Sequence, residues 1–79
     1  MKNVNNFKTK DQFLASTLYA LGERFLFSEW EDGKCFIFFD SKDKCELIVS
    51  KYYSGELKID PRILFDSFKT IKAIIFEKR

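Results

Sequence analysis

"FLFSEWEDGKCFIFF", residues Phe25–Phe39, is the stretch whose reading decides the fold. Two aromatic-rich runs flank Asp32-Gly33, and an Asp-Gly pair supplies the two positive-φ positions of a type I′ turn. The stretch is therefore predicted to be a β-hairpin. The turn sets the register: Glu31 opposite Lys34, Trp30 opposite Cys35, Ser28 opposite Ile37 and Leu26 opposite Phe39. Side chains alternate along a strand, so Leu26, Ser28, Trp30, Cys35, Ile37 and Phe39 share one face. The other face carries Phe25, Phe27, Phe36 and Phe38 at the base, with Glu29, Glu31 and Lys34 near the turn. Both faces are rich in large apolar side chains. A two-stranded ribbon is not stable alone in water, so each face needs a cover.

Helices supply part of that cover. Before the hairpin, Thr9 and Gln12 have the capping-box spacing that starts a helix. That helix is predicted to run to about Leu21, with Gly22 taking the left-handed turn that ends it. Leu14, Leu18 and Leu21 recur at i, i+4, i+7, and Phe13, Thr17 and Ala20 widen the stripe. After the hairpin, "DSKDKCELIVSKYYSG" reads as a second helix, capped by Asp40 or Ser41 and closed by Gly55. Its stripe is Cys45, Ile48, Val49 and Tyr52. "ELKI" is a short extended link. "DP" opens a third helix, with Asp60 as cap and Pro61 at the first helical position. Leu64, Phe68, Ile71 and Ile75 are its expected buried stripe. The β-branched end, "AIIFEKR", continues that stripe and is read as helix.

The expected fold is thus α+β: a β-hairpin packed with three helices, in the order α-β-β-α-α. Seventy-nine residues make a single domain, 1–79, with residues 1–6 free to fray because they have little to bury. Ten phenylalanines, against three tyrosines and one tryptophan, give this short chain the bulk for a core without staples. Cys35 and Cys45 are too few for a disulfide framework, and are read as two buried reduced thiols. The polar start "MKNVNNFKTK" has no apolar signal-peptide core, and no run reaches membrane-spanning length. The expectation is a soluble cytoplasmic protein.

With the hairpin and helices in place, "KTKD" before the first helix, "YYSGELKIDPR", and the "K-A-I-I" ending together resemble a domain-of-unknown-function family of short bacterial and phage proteins. The resemblance covers nearly the whole chain. It implies no activity and no catalytic residues, and it implies a setting in phage, prophage or related mobile regions.

The residue inventory speaks against catalysis. There is no His, so the commonest general base near neutral pH is absent. Neither cysteine has an activating partner at a suggestive spacing, and Glu29 with Glu31 reads as a solvated hairpin tip. The three glycines are used as helix ends and a turn, which leaves no phosphate loop. Two thiols without His do not complete a zinc site. The protein is expected to be no enzyme, with no catalytic residue, no cofactor, no metal and no small-molecule substrate.

Binding is the remaining class. Leu26, Trp30, Ile37 and Phe39 are the candidate partner-binding residues, with helices expected over the Phe25/Phe27/Phe36/Phe38 face and a second subunit or another protein over theirs. Tyr53, turned away from the buried Tyr52 stripe, is a further candidate contact. The alternative is nucleic acid bound by the aromatic hairpin face and by Lys51, Lys58, Arg62, Lys69 and Lys72. Fourteen basic against twelve acidic residues, a net charge of +2, weigh against it. Asp66 between Arg62 and Lys69 suggests a face laced by ion pairs.

Overall fold

The structure is a computed structural model that describes residues 6–77. The expected fraying therefore lies outside the described residues, apart from Asn6. The elements are β1 (Phe7–Thr9), α1 (Gln12–Ala20), β2 (Phe25–Glu31), β3 (Lys34–Phe39), α2 (Lys42–Ser54) and α3 (Pro61–Glu77). The fold class is α+β, and the hairpin and three helices follow one another in the expected order. Ahead of them stands an unforeseen strand. β1 pairs antiparallel with β3, so the sheet has three strands in the order β1-β3-β2.

β1 moves the start of the first helix. Thr9 was expected to cap it, but Thr9 ends β1, pairing with Ile37. The cap is Asp11, whose carboxylate accepts from the Phe13 and Leu14 N–H groups at 2.9 and 3.1 Å. A carboxylate satisfies two orphan donors and complements the helix dipole, which explains the preference. Thr9 Oγ1 instead accepts from the Asp11 N–H at 3.1 Å and bends the chain from strand into helix. α3 begins as its sequence implies, with the Asp60 carboxylate accepting from Arg62 N–H at 2.9 Å. It stays helical through the β-branched "AIIFE".

The turn and most of the register are as the Asp-Gly pair dictates. Asp32 and Gly33 lie at φ 52° and 78°. Glu31 pairs with Lys34, Trp30 with Cys35 and Ser28 with Ile37. The register then slips between Phe27 and Phe25, so that Phe25, rather than Leu26, stands opposite Phe39. This irregularity turns Phe25 toward the core, where its ring meets Phe39 edge-on with centroids 6.4 Å apart.

The core reverses the expected assignment of the sheet's two faces. Leu14, Ala15 and Leu18 of α1, Cys45 of α2, and Ile71 and Ile75 of α3 close over Cys35, Ile37 and Phe39 of β3. Ile37 and Phe39 are 0% exposed. The face predicted to await a partner is the one the helices cover. The face predicted to lie under the helices carries Phe27, Phe36 and Phe38 toward solvent, and Phe25 leaves it through the slip. Charge gives the reason. Glu29, Glu31 and Lys34 have the same parity as Phe27, Phe36 and Phe38, and covering that face would strip water from them. The opposite parity holds no charged residue.

Shielding of the outer face is local. Phe27 and Phe38 stack at 4.4 Å with an interplanar angle of 13°. Lys8 on β1 places its ammonium 4.9 Å from the Phe36 centroid and 5.9 Å from that of Phe38. Its stem covers apolar surface while its head stays wet. Ring stacking and one snorkelling lysine leave Phe36 and Phe38 half-buried without a second layer of helix.

Candidate interaction surface

Cys45 is buried, and burial, reinforced by the charges of Glu23, Asp40 and Glu46, pushes its thiol up to about 11 from 9.0. Its Sγ donates to the Asp40 carbonyl at 3.4 Å. A thiol held protonated is the opposite of an activated nucleophile. Cys35 is also buried, and both cysteines are reduced. Among the described residues no group of three or more His, Cys, Asp or Glu is placed to hold a metal ion. No described helix is long and apolar enough to cross a membrane.

The candidate residues scatter. Ile37 and Phe39 lie in the core at 0% exposure, so Leu26, Trp30, Ile37 and Phe39 do not form one exposed face. Leu26 is half-buried beside the register slip. Trp30 is exposed near the tip, where it borders a crevice with Lys10, Gln12 and Ile75. Tyr53 is 72% exposed, as expected, and meets Tyr52 edge-on at 5.1 Å. Lys51, Lys58, Arg62, Lys69 and Lys72 are all exposed. Lys51 sits on α2 and Lys58 in the link, whereas Arg62, Lys69 and Lys72 share α3. The expected lacing of Arg62 and Lys69 by Asp66 does not form; among the described residues none of the three makes an ion pair.

The surface that does come together lies on the helices. α1 packs along α3, with Phe13 stacked on Phe68 at 5.2 Å and 2° from parallel. Small residues permit the approach: Ser16 and Thr17 of α1 and Ser67 of α3 are buried. Each hydroxyl donates to the carbonyl four residues earlier, Ser16 to Gln12 at 2.7 Å, Thr17 to Phe13 at 2.9 Å and Ser67 to Ile63 at 2.8 Å. These back-bonds keep the protons of buried hydroxyls satisfied inside each helix. Above this contact opens a groove of ≈ 320 Å³ lined by Phe13, Ser16, Thr17, Tyr52, Leu64, Phe65 and Phe68. Tyr52 stands at its α2 side, its phenol raised above the usual range first by burial and then by the charges of Asp11 and Tyr53.

Two of the groove's lining rings stand largely in water: Phe13 and Phe65 are each 64% exposed. Phe76, about three turns further along α3, is 53% exposed. At about 200 Å² per ring, Phe13 and Phe65 leave roughly 250 Å² of aromatic surface in water at the groove. Lys72 joins the rings, its ammonium 5.5 Å from the Phe68 centroid and 5.9 Å from that of Phe76.

Sequence reasoning assigned Phe13 and Phe68 to buried stripes and passed over Phe65 and Phe76. A signal was present. Arg62, Phe65, Lys69, Lys72 and Phe76 repeat at i, i+3, i+7, i+10, i+14, a second seam beside the buried one. No family model matches the chain, and no curated protein or solved structure matches it either, so the family resemblance rests on its quoted motifs.

Proposed function

We propose that this is a small non-enzymatic interaction protein that binds another protein in the cytoplasm through the joint face of α1 and α3. The setting implied by the resemblance, a phage or mobile-element gene, belongs to the same reading. The observation that carries it is the groove between the two helices, apolar and lined by the exposed rings of Phe13 and Phe65, on a face that no described element covers. A concave apolar groove with exposed aromatics at its edge has the anatomy of a hot-spot pocket. The test is site-specific photo-crosslinking. A photoreactive phenylalanine analogue at position 65 is expected to give a discrete adduct with a second polypeptide in lysate, and the same analogue at Lys44 on α2 is not. Absence of any adduct from position 65, with a discrete one from position 44, would refute the assignment.

A second reading rests on the sheet's outer face, where Lys8 lies over Phe36 and Phe38 and Phe27 stacks alongside. Bases of single-stranded nucleic acid stack on such rings. Glu29 and Glu31 share the face, however, and Arg62, Lys69 and Lys72 belong to a different element. The measurement that would favour this reading is oligonucleotide binding at low salt that falls steeply as salt rises and is lost in Lys8→Ala with Phe36→Ala.

A further inference from the structure

Taking the α1/α3 face as the protein-binding surface, we propose that its partner is an acidic amphipathic helix, which lays a large apolar side chain into the Phe13–Tyr52–Leu64–Phe65–Phe68 groove and its carboxylates along the cations of α3. The inference rests on the function proposed above and adds the chemistry of the partner.

α3 carries two seams. Leu64, Phe68, Ile71 and Ile75 face inward, Ile71 and Ile75 fully into the core. Arg62, Phe65, Lys69, Lys72 and Phe76 form the second, and all five are exposed. At 100° per residue these five positions fall within an arc of about 80°, with the 3-4-3-4 spacing by which one helix lies along another. Their Cα atoms span about 21 Å, four turns of helix, the footprint of a partner of roughly fifteen residues.

The composition of the seam selects the partner. Two of its positions are phenylalanines, Phe65 at the groove and Phe76 about three turns on, and an amphipathic helix is read by a groove through apolar anchors at helical spacing. The other three are cations, and among the described residues no carboxylate pairs with them. Lys72 is held over Phe68 and Phe76 by cation–π contacts, and Asp66, a turn from Arg62 and Lys69, makes no ion pair with either. A second copy of this chain offering the same seam would set three cations against three. In either direction the excess of positive charge opposes self-pairing, and Lys69 meets Lys69 even when the helices run antiparallel. A helix bearing Asp or Glu beside its anchors meets the opposite condition at every position.

The experiment is a selection from a random sixteen-residue peptide library displayed on phage, run on the intact wild-type protein and on the double variant Lys69→Glu, Lys72→Glu, each checked for native circular dichroism. Peptides enriched on wild type are expected to be net acidic with at least two large apolar residues at helical spacing. They should lose roughly tenfold in affinity on the charge-reversed protein at low salt, and binding on Phe65→Ala. The reversed protein should itself enrich basic or neutral peptides. Neutral or basic winners on wild type, or acidic winners indifferent to charge reversal, would overturn the inference. Dependence on Phe65 in those cases leaves the binding face standing, and its absence removes both. No enrichment at all overturns the inference too. So does an oligo-dT strand that displaces the peptides, pointing to nucleic acid. A dimer by light scattering that Phe65→Ala abolishes and the peptides do not dissociate points instead to a second copy.

Discussion

Phe39→Ala and Phe27→Ala form a pair that tests which face of the sheet is the core. The two rings lie on opposite faces of one hairpin. Phe39 is 0% exposed and meets Phe25 edge-on at 6.4 Å. Truncating a fully buried Phe costs about 3–5 kcal/mol through lost transfer energy and the cavity left behind. Phe27 is 43% exposed and stacked on Phe38 at 4.4 Å. With under two thirds of its ring covered and water free to fill the space, its loss costs about 1–1.5 kcal/mol. A domain of this length is stable by about 4–12 kcal/mol in all. Phe39→Ala should therefore lower Tm by roughly 15–35 °C and Phe27→Ala by under about 12 °C. Urea denaturation followed by circular dichroism reads the same difference as midpoint shifts of about 3–5 M and 1–1.5 M, for a urea dependence near 1 kcal/mol/M. If Phe39→Ala proves too unstable to isolate, Phe39→Leu against Phe27→Leu preserves the order at smaller amplitude. Equal losses, or a larger one at Phe27, would mean that the helices cover the Phe27/Phe36/Phe38 face and that the core described above is wrong.

Gly33 lies at φ 78° with open space where a Cβ would point, so Gly33→Val should lose about 1–3 kcal/mol from backbone strain alone; an unchanged urea midpoint would contradict the turn. Ser41 lies at φ 59° at the start of α2 and its side chain makes no capping bond, so Ser41→Gly should stabilise by about 0.5–1 kcal/mol, read as a rise in Tm. The Cys45 thiol is raised in the folded state from 9.0 to about 11, so the unfolded chain loses its proton first. The stability this group contributes is whole below pH 9 and declines up to about pH 11. Chemical denaturation across that range should show the decline in wild type and a shallower one in Cys45→Ala, and parallel curves would refute the linkage. The same burial predicts slow labelling of Cys35 and Cys45 by a thiol reagent in native protein and fast labelling in denaturant.

Local sequence determined what depends on neighbours along the chain. Asp32-Gly33 dictates the hairpin and its register through Ser28–Ile37, because only a turn with two positive-φ residues matches the twist of the strands. Asp60-Pro61 starts α3, and the continuing 3–4 spacing of Ile71 and Ile75 keeps its β-branched end helical. Tertiary structure decided what depends on distant contacts. β1 spans only Phe7–Thr9, too short to declare itself by periodicity, and exists because β3 offers it an open edge. The slip at Phe25–Phe27 is chosen by what Phe25 gains against Phe39, a contact between residues fourteen apart in sequence. The polarity of the sheet lay between the two. Its signal is the common parity of Glu29, Glu31 and Lys34 with Phe27, Phe36 and Phe38, which a comparison of aromatic content between the two faces does not weigh. Charges choose the wet face because the cost of drying them exceeds what a few half-shielded rings return. The exposed seam of α3 was legible as a repeat. That it was the outer seam, with Phe13 and Phe68 stacked at its edge, followed only once Leu14, Leu18, Ile71 and Ile75 had met on the other side of the same two helices.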